Sequence, residues 1–232
     1  PYTGKILLQY DEKETFYGFL FYWHRWLLFK TEQGERPFRE LVSVSTLMLI
    51  INCILGIWLW LSLNKKWRHL KPIHNGNTFL TRFRYHNLIG VLACFPLILI
   101  AFSGLTFNWK LPTSQIVETL SFSKIEAVPT IKNDYQKSNK LIDVQSAMQI
   151  AQEALPDAII HSISLPNNNK NIFVFRVKTP TEFYAYSRIW IEPGTLKIIK
   201  VYNAAKSSRA TQIWHFRYSF HIGDFFHSSI QY

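Results

Sequence analysis

The sequence predicts an α+β membrane protein: a transmembrane helical hairpin plus a separate domain made of one helix on an antiparallel sheet. Three observations carry this. Residues 41–63 and 85–109 are two uninterrupted apolar runs. No formally charged residue lies between Arg84 and Lys110, and about 25 residues at ~1.5 Å each give roughly 37 Å of helix, enough for a hydrocarbon core about 30 Å thick. The polar C-terminal half changes pattern from one helical repeat to four alternating segments, which is the signature of a helix followed by strands.

Charge gives the hairpin a direction. The net charge of +11 would suit a nucleic-acid binder, but its distribution argues otherwise. The loop 64–84 carries Lys65, Lys66, Arg68, Lys71, Arg82 and Arg84 and no acid. By the positive-inside rule this short loop is cytoplasmic, with residues 1–40 and 110–232 on the other side. The only two cysteines, Cys53 and Cys94, fall inside the spans and read as small packing residues rather than a disulfide or ligands.

Taken in order, residues 1–10, PYTGKILLQY, read as a turn followed by a strand. The stretch 193–202, PGTLKIIKVY, repeats it, with Thr3 matching Thr195, Lys5 matching Lys197 and Ile6 matching Ile198. Residues 11–40 form an aromatic segment suited to a membrane surface, with His24 and Arg25 between Trp23 and Trp26. After the second span, residues 110–140 show no clear period and are expected to be an extended linker. A helix follows over 143–155, with Asp143 as N-cap, one face formed by Val144, Ala147, Met148, Ala151 and Leu155, and Pro156 as its stop. Strands are expected at 159–165, 172–178, 184–191 and 197–202, separated by Pro166 with an Asn run, by Pro180 and by Pro193-Gly194. The last segment, 206–232, is aromatic and histidine-rich and reads as the lead-in to a further span.

PYTGKIL, FYWHRWLL, GIWLW, RYHNLIG, the alanine-rich helix with its strands and FHIGDF occur in an order that resembles the PepSY-associated transmembrane proteins of bacterial inner membranes. The resemblance implies a multi-pass inner-membrane protein. Residues 1–10 would be the tail of a first PepSY-like domain and 141–205 a second, both periplasmic, and the chain would be a fragment lacking the first helix, most of the first PepSY domain and the fourth helix. The turn of the second copy departs from the family's Asp-Pro-x-Thr-Gly as Glu192-Pro193-Gly194-Thr195. Some members resemble haem b ferric-siderophore reductases, and others are iron-regulated proteins of unclear activity.

An imidazole in or beside a bilayer must be hydrogen-bonded, face the bundle interior or bind something. Two histidines from different helices at one depth can hold haem b axially. His86 starts the second span, and Gly90, one turn on, would let a flat ring approach the helix; small residues also serve plain helix packing. His24 and His221 precede spans on the opposite side, about 20 residues or roughly 30 Å away in depth. The expectation is two haems b, an outer one held by His24 and His221 with Arg25 near a propionate, and an inner one held by His86 with a histidine from another helix. His215 or His227 could replace His221, whereas His69 and His74 read as solvated loop residues and His161 as a structural strand residue.

The function expected is haem-dependent electron transfer across the membrane to a periplasmic acceptor such as a ferric siderophore. A flavoprotein or quinol would be the separate electron donor, since no Gly-rich phosphate loop is present, and no nucleic acid is involved. The competing expectation is a PepSY-type binding or protease-regulating module, anchored in the membrane without redox activity.

Overall fold

The computed structural model describes residues 8–71, 78–131, 143–166 and 171–224, without the side chains of Lys66 and His69. The expected turn and strand over residues 1–7, His74, His227 and linker residues 132–140 lie outside the described residues. The chain divides into two compact units, Pro1–Lys110 and Leu111–Tyr232.

In the first unit a 3-10 turn at Glu12–Glu14 leads into α1 (Phe16–Trp26). Thr15 caps α1, its Oγ1 accepting the Gly18 amide at 2.9 Å. The turn folds back so closely that a Cβ on Gly18 would run into the Glu12 carbonyl. Leu27 and Leu28, both at positive φ, end the helix. The aromatic run packs on itself: Trp26 is buried, with Tyr22 at 5.0 Å on one side and the Arg36 guanidinium 3.9 Å from its ring centre. Phe29 against Phe38, 5.0 Å apart, ties this segment to the start of the next helix.

The spans are α2 (Arg39–Ser62) and α3 (Thr78–Leu105). Only 11% and 17% of their apolar stretches are buried within the chain, so unlike the mostly buried core helices of a soluble domain they present apolar surface along most of their length, as membrane spans do. α3 begins about two turns earlier than residue 85, so Arg82 and Arg84 belong to the helix and His86 stands in its third turn. The helices run antiparallel, latched where α2 starts and α3 ends. Asn108 donates to Glu40 and to Ser43, both at 2.8 Å, Trp109 Nε1 donates to Glu40 at 2.8 Å, and Arg39 donates to the Phe107 carbonyl. Midway along the pair the Cys53 and Cys94 thiols, both free, come within hydrogen-bonding reach of each other.

The second unit corrects the expected linker: Lys110–Ser121 forms a helix, α4. Pro112 is tolerated in its first turn, and Thr113 and Val117, one turn apart, are its buried residues. Glu118 then accepts the Ile125 amide and the Lys124 ammonium, both at 2.9 Å; these bonds hold its carboxyl below the usual range. α5 (Val144–Ala154) is capped by Asp143, which accepts the Ser146 amide at 3.0 Å. Its buried stripe is Ala147 and Ala151, with Val144, Ile150 and Ala154 beside them, while Met148, expected on that face, is largely exposed.

The strands β1 (Ile159–Ser164), β2 (Phe173–Lys178), β3 (Ser187–Ile191) and β4 (Ile198–Tyr202) form an antiparallel meander in sequence order. The register slips between Ile160 and Ser162, at His161. α5 covers one face through Phe173, Phe175, Val177, Ile189 and Ile191. On the other face Trp190 and Val174 join Tyr202, Val128 and Ile131 in a second cluster. The chain closes with α6 (Arg209–Ile222), whose cap residue Ser208 accepts the Thr211 amide and, through its own amide, donates to Glu126 at 2.7 Å.

Candidate functional site

Three places carry the residues singled out from sequence. On α3, His86 is exposed, and Gly90 follows it one turn on. A Cβ on Gly90 would meet nothing within 4 Å, so tight helix contact does not explain this glycine. The adjoining Asn87 differs: its amide nitrogen is buried and has no hydrogen-bond partner among the described residues. A buried amide without a partner is costly in an apolar span, so this spot holds an unmet polar demand beside an available imidazole and an open helix face. That combination fits the approach of a flat, ligand-binding group carrying polar substituents. α3 supplies one imidazole, and no group of three metal-ligating side chains occurs among the described residues.

The second place is α1. His24 and Arg25 are both exposed, with the Arg25 guanidinium 5.0 Å from the Phe21 ring centre and 5.2 Å from that of Trp26. Because α1 is tied to the start of α2, and His86 lies toward the other end of the hairpin, His24 and His86 are separated by most of a span, roughly 30 Å. They cannot serve one centre.

The third place lies in the second unit. His221 is half-buried in the last turn of α6, before Gly223 closes the helix at positive φ. One and a half turns earlier, His215 stacks face to face on Tyr186, with ring centres 4.0 Å apart and 7° between planes. Tyr184 extends the aromatic array to Tyr186 and Tyr218, each at 5.6 Å, and Phe183 meets Phe216 at 4.6 Å. Burial, followed by the Arg217 charge, lowers the His215 pKa to about 4, so the ring is neutral at physiological pH. Tyr186 is shifted up by the same burial. The pair forms one wall of a cleft of about 430 Å³, which Phe183, Phe216, Ala204 and Gln212 also line.

Glu182 holds the loop that carries these tyrosines. Its Oε2 accepts the Thr179 amide and hydroxyl and the Ser187 hydroxyl, and its Oε1 accepts the Tyr186 and Ser187 amides, all between 2.8 and 3.1 Å. Ser187 Oγ in turn accepts the Ala204 amide at 2.9 Å, fixing the segment after β4. Sequence reasoning passed over Glu182 and Tyr186. The usable signal was Thr179-Pro180-Thr181-Glu182, a turn with one acid placed to accept amides. His215 was named only as a substitute for His221, and Asn87 not at all. His161, expected to be structural, lies exposed on β1 at the register slip, with its ring 5.5 Å from Tyr184.

No curated protein matches the chain closely enough to count as a relative. The sequence profile of the PepSY-associated TM region matches residues 1–232, and the two exposed apolar helices joined in sequence to a helix-on-sheet domain are what that description requires. The chain belongs to the PepSY-associated transmembrane family.

Proposed function

We propose that this membrane protein is the haem-binding, electron-carrying part of an inner-membrane oxidoreductase. The observation that carries the reading is the constellation on α3: an exposed imidazole at His86, the open flank of Gly90, and the unpartnered buried amide of Asn87. In this reading His86 would hold an inner haem b together with a histidine of another helix, and Asn87 would supply a hydrogen bond to a polar edge of the group. For an outer haem, His24 with Arg25 beside it in the first unit and His221 in the second are each proposed as candidate residues. Bound haem supplies a one-electron couple; the chain contributes ligation, orientation and an apolar surround that excludes water. Loop 64–84 faces the cytoplasm and the sheet domain the periplasm, so electrons pass from a quinol or flavoprotein to a periplasmic acceptor, chelated ferric iron being the class suggested.

The test is a reduced-minus-oxidised spectrum and haem content of the purified full chain, for wild type, His86→Ala and Asn87→Leu. The reading expects pigment in wild type, loss of about half of it in His86→Ala, and a shifted spectrum or midpoint potential in Asn87→Leu. Undiminished haem in His86→Ala sinks the inner-site assignment. A colourless wild-type protein sinks the whole reading and favours a second one, to which the aromatic cleft beside Tyr186 and His215 lends support: a module that binds a periplasmic partner or protease.

A further inference from the structure

On the sheet face turned away from α5, β2 and β3 place Arg176 directly opposite Arg188. Like charges at such a pair repel, because the Cβ atoms of directly opposed residues lie only about 5 Å apart. Arg188 has Arg176 and Tyr202 as its electrostatic neighbours and no carboxylate. The Nε atoms of both arginines are buried without a hydrogen-bond partner among the described residues. Arg176 spends one donor on the Ala185 carbonyl at 3.2 Å and lies over Tyr184, 5.5 Å from its ring centre. Arg217 of α6, itself engaged with the Trp214 carbonyl and ring, adds a third positive charge that acts on Tyr186 and His215. Two acids act on this neighbourhood, Glu126 and Glu182 on Tyr202 and Glu182 on His215, but neither is paired with Arg188, and the oxygens of Glu182 are engaged by five hydrogen bonds from its own loop.

Two half-buried guanidinium groups, forced side by side without an anion, form half of a recognition site: planar donors in this arrangement match a carboxylate or phosphate bidentately. We propose that Arg176 and Arg188 bind an oxyanion, of the polycarboxylate or phosphate class, with Arg217 supplying long-range attraction and the rings of Tyr184 and Tyr186 forming the adjoining wall. The site is independent of haem. Its ligand is either a free anion or the phosphate of a lipid headgroup, since the chemistry is the same.

The experiment uses the full chain in zwitterionic nanodiscs, titrated calorimetrically with citrate and with inorganic phosphate. Wild type should bind at least one of them. Arg188→Gln and Arg176→Gln should each weaken binding by roughly tenfold or more, added NaCl should weaken it further, and Arg209→Gln, an exposed arginine at the start of α6, should leave it unchanged. Without anion, Arg188→Gln should unfold at the same temperature as wild type or higher, because repulsion is relieved; this separates lost binding from lost folding. In a second arm, native mass spectrometry of nanodiscs containing phosphatidic acid counts the lipids retained. Retention lost in Arg188→Gln, with no citrate binding in the first arm, assigns the site to a headgroup. If neither soluble anion nor phosphatidic acid depends on Arg188, or if Arg188→Gln clearly destabilises the anion-free protein, the proposal is overturned.

Discussion

Replacing Glu182 by Gln changes one oxygen into a nitrogen and tests the loop that positions Tyr184 and Tyr186. The carboxylate accepts five hydrogen bonds, three on Oε2 and two on Oε1. A glutamine carbonyl satisfies the set of three, and its NH2 then faces the amides of Tyr186 and Ser187, donor against donor. Two charge-assisted bonds are lost at about 1.5 kcal/mol each, so the local cost is roughly 3 kcal/mol. Hydrogen exchange at those two amides should therefore quicken by about 100-fold. The readout is local, which matters because a chain of two units has no single unfolding free energy. Unchanged protection of the Tyr186 and Ser187 amides would refute the reasoning, since it would mean that the carboxylate does not hold them.

Two further outcomes are expected. The facing thiols of Cys53 and Cys94 should be joined efficiently by a short bifunctional thiol reagent in intact membranes, and Cys53→Ser should abolish the product; failure to cross-link would contradict the register of the hairpin. Stability of the sheet domain should fall with acidification between about pH 6.5 and pH 4. His215 ionises near 4 when folded and near its ordinary 6.5 when unfolded, so in that window the unfolded chain binds more protons and stability rises with pH. Arg217 and Arg188 reinforce the shift and Glu182 opposes it. The full difference corresponds to about 3 kcal/mol, screened to roughly 1–2 kcal/mol by partial exposure. His215→Phe should keep the stack and flatten the dependence of protease resistance on pH. Glu118 and Asp143, whose carboxyls are held low by hydrogen bonds, lose their contribution only at lower pH and so do not imitate the effect.

The hairpin and the helix-on-sheet domain were legible because each rests on local pattern. Two long apolar runs have the length of membrane spans, and proline and glycine mark the ends of the strands. α4 was hidden because its buried stripe includes Thr113 and its outer positions include the exposed Leu111 and Leu120, so hydrophobic periodicity is nearly inverted. On α5, alanines occupy the close-packed stripe, and Met148 drew the expected face toward solvent by its size alone. The site residues were harder still. His215 and Tyr186 stack across nearly thirty residues of sequence, and Arg176 and Arg188, at the polar positions of alternating strands, read as a solvated face until the register sets them opposite each other. Histidines on α1 and α3 were visible because imidazoles are conspicuous in aromatic and apolar stretches. Asn87 was not, because nothing in its neighbours announces an unmet hydrogen bond.

Glycine serves opposite ends in the two helices of the first unit that carry candidate ligands. At Gly18 the missing side chain is replaced by backbone, and any substitution acts as a wedge between the turn and α1. At Gly90 the vacated volume is left open. Alanine there should cost the isolated hairpin nothing and add helix propensity of up to about 1 kcal/mol. Gly90→Ala is therefore a probe that meets no steric obstacle in the fold: any loss it produces reports on whatever docks against α3, and the size of that loss as the side chain grows from methyl to isobutyl would measure how closely the docked surface fits.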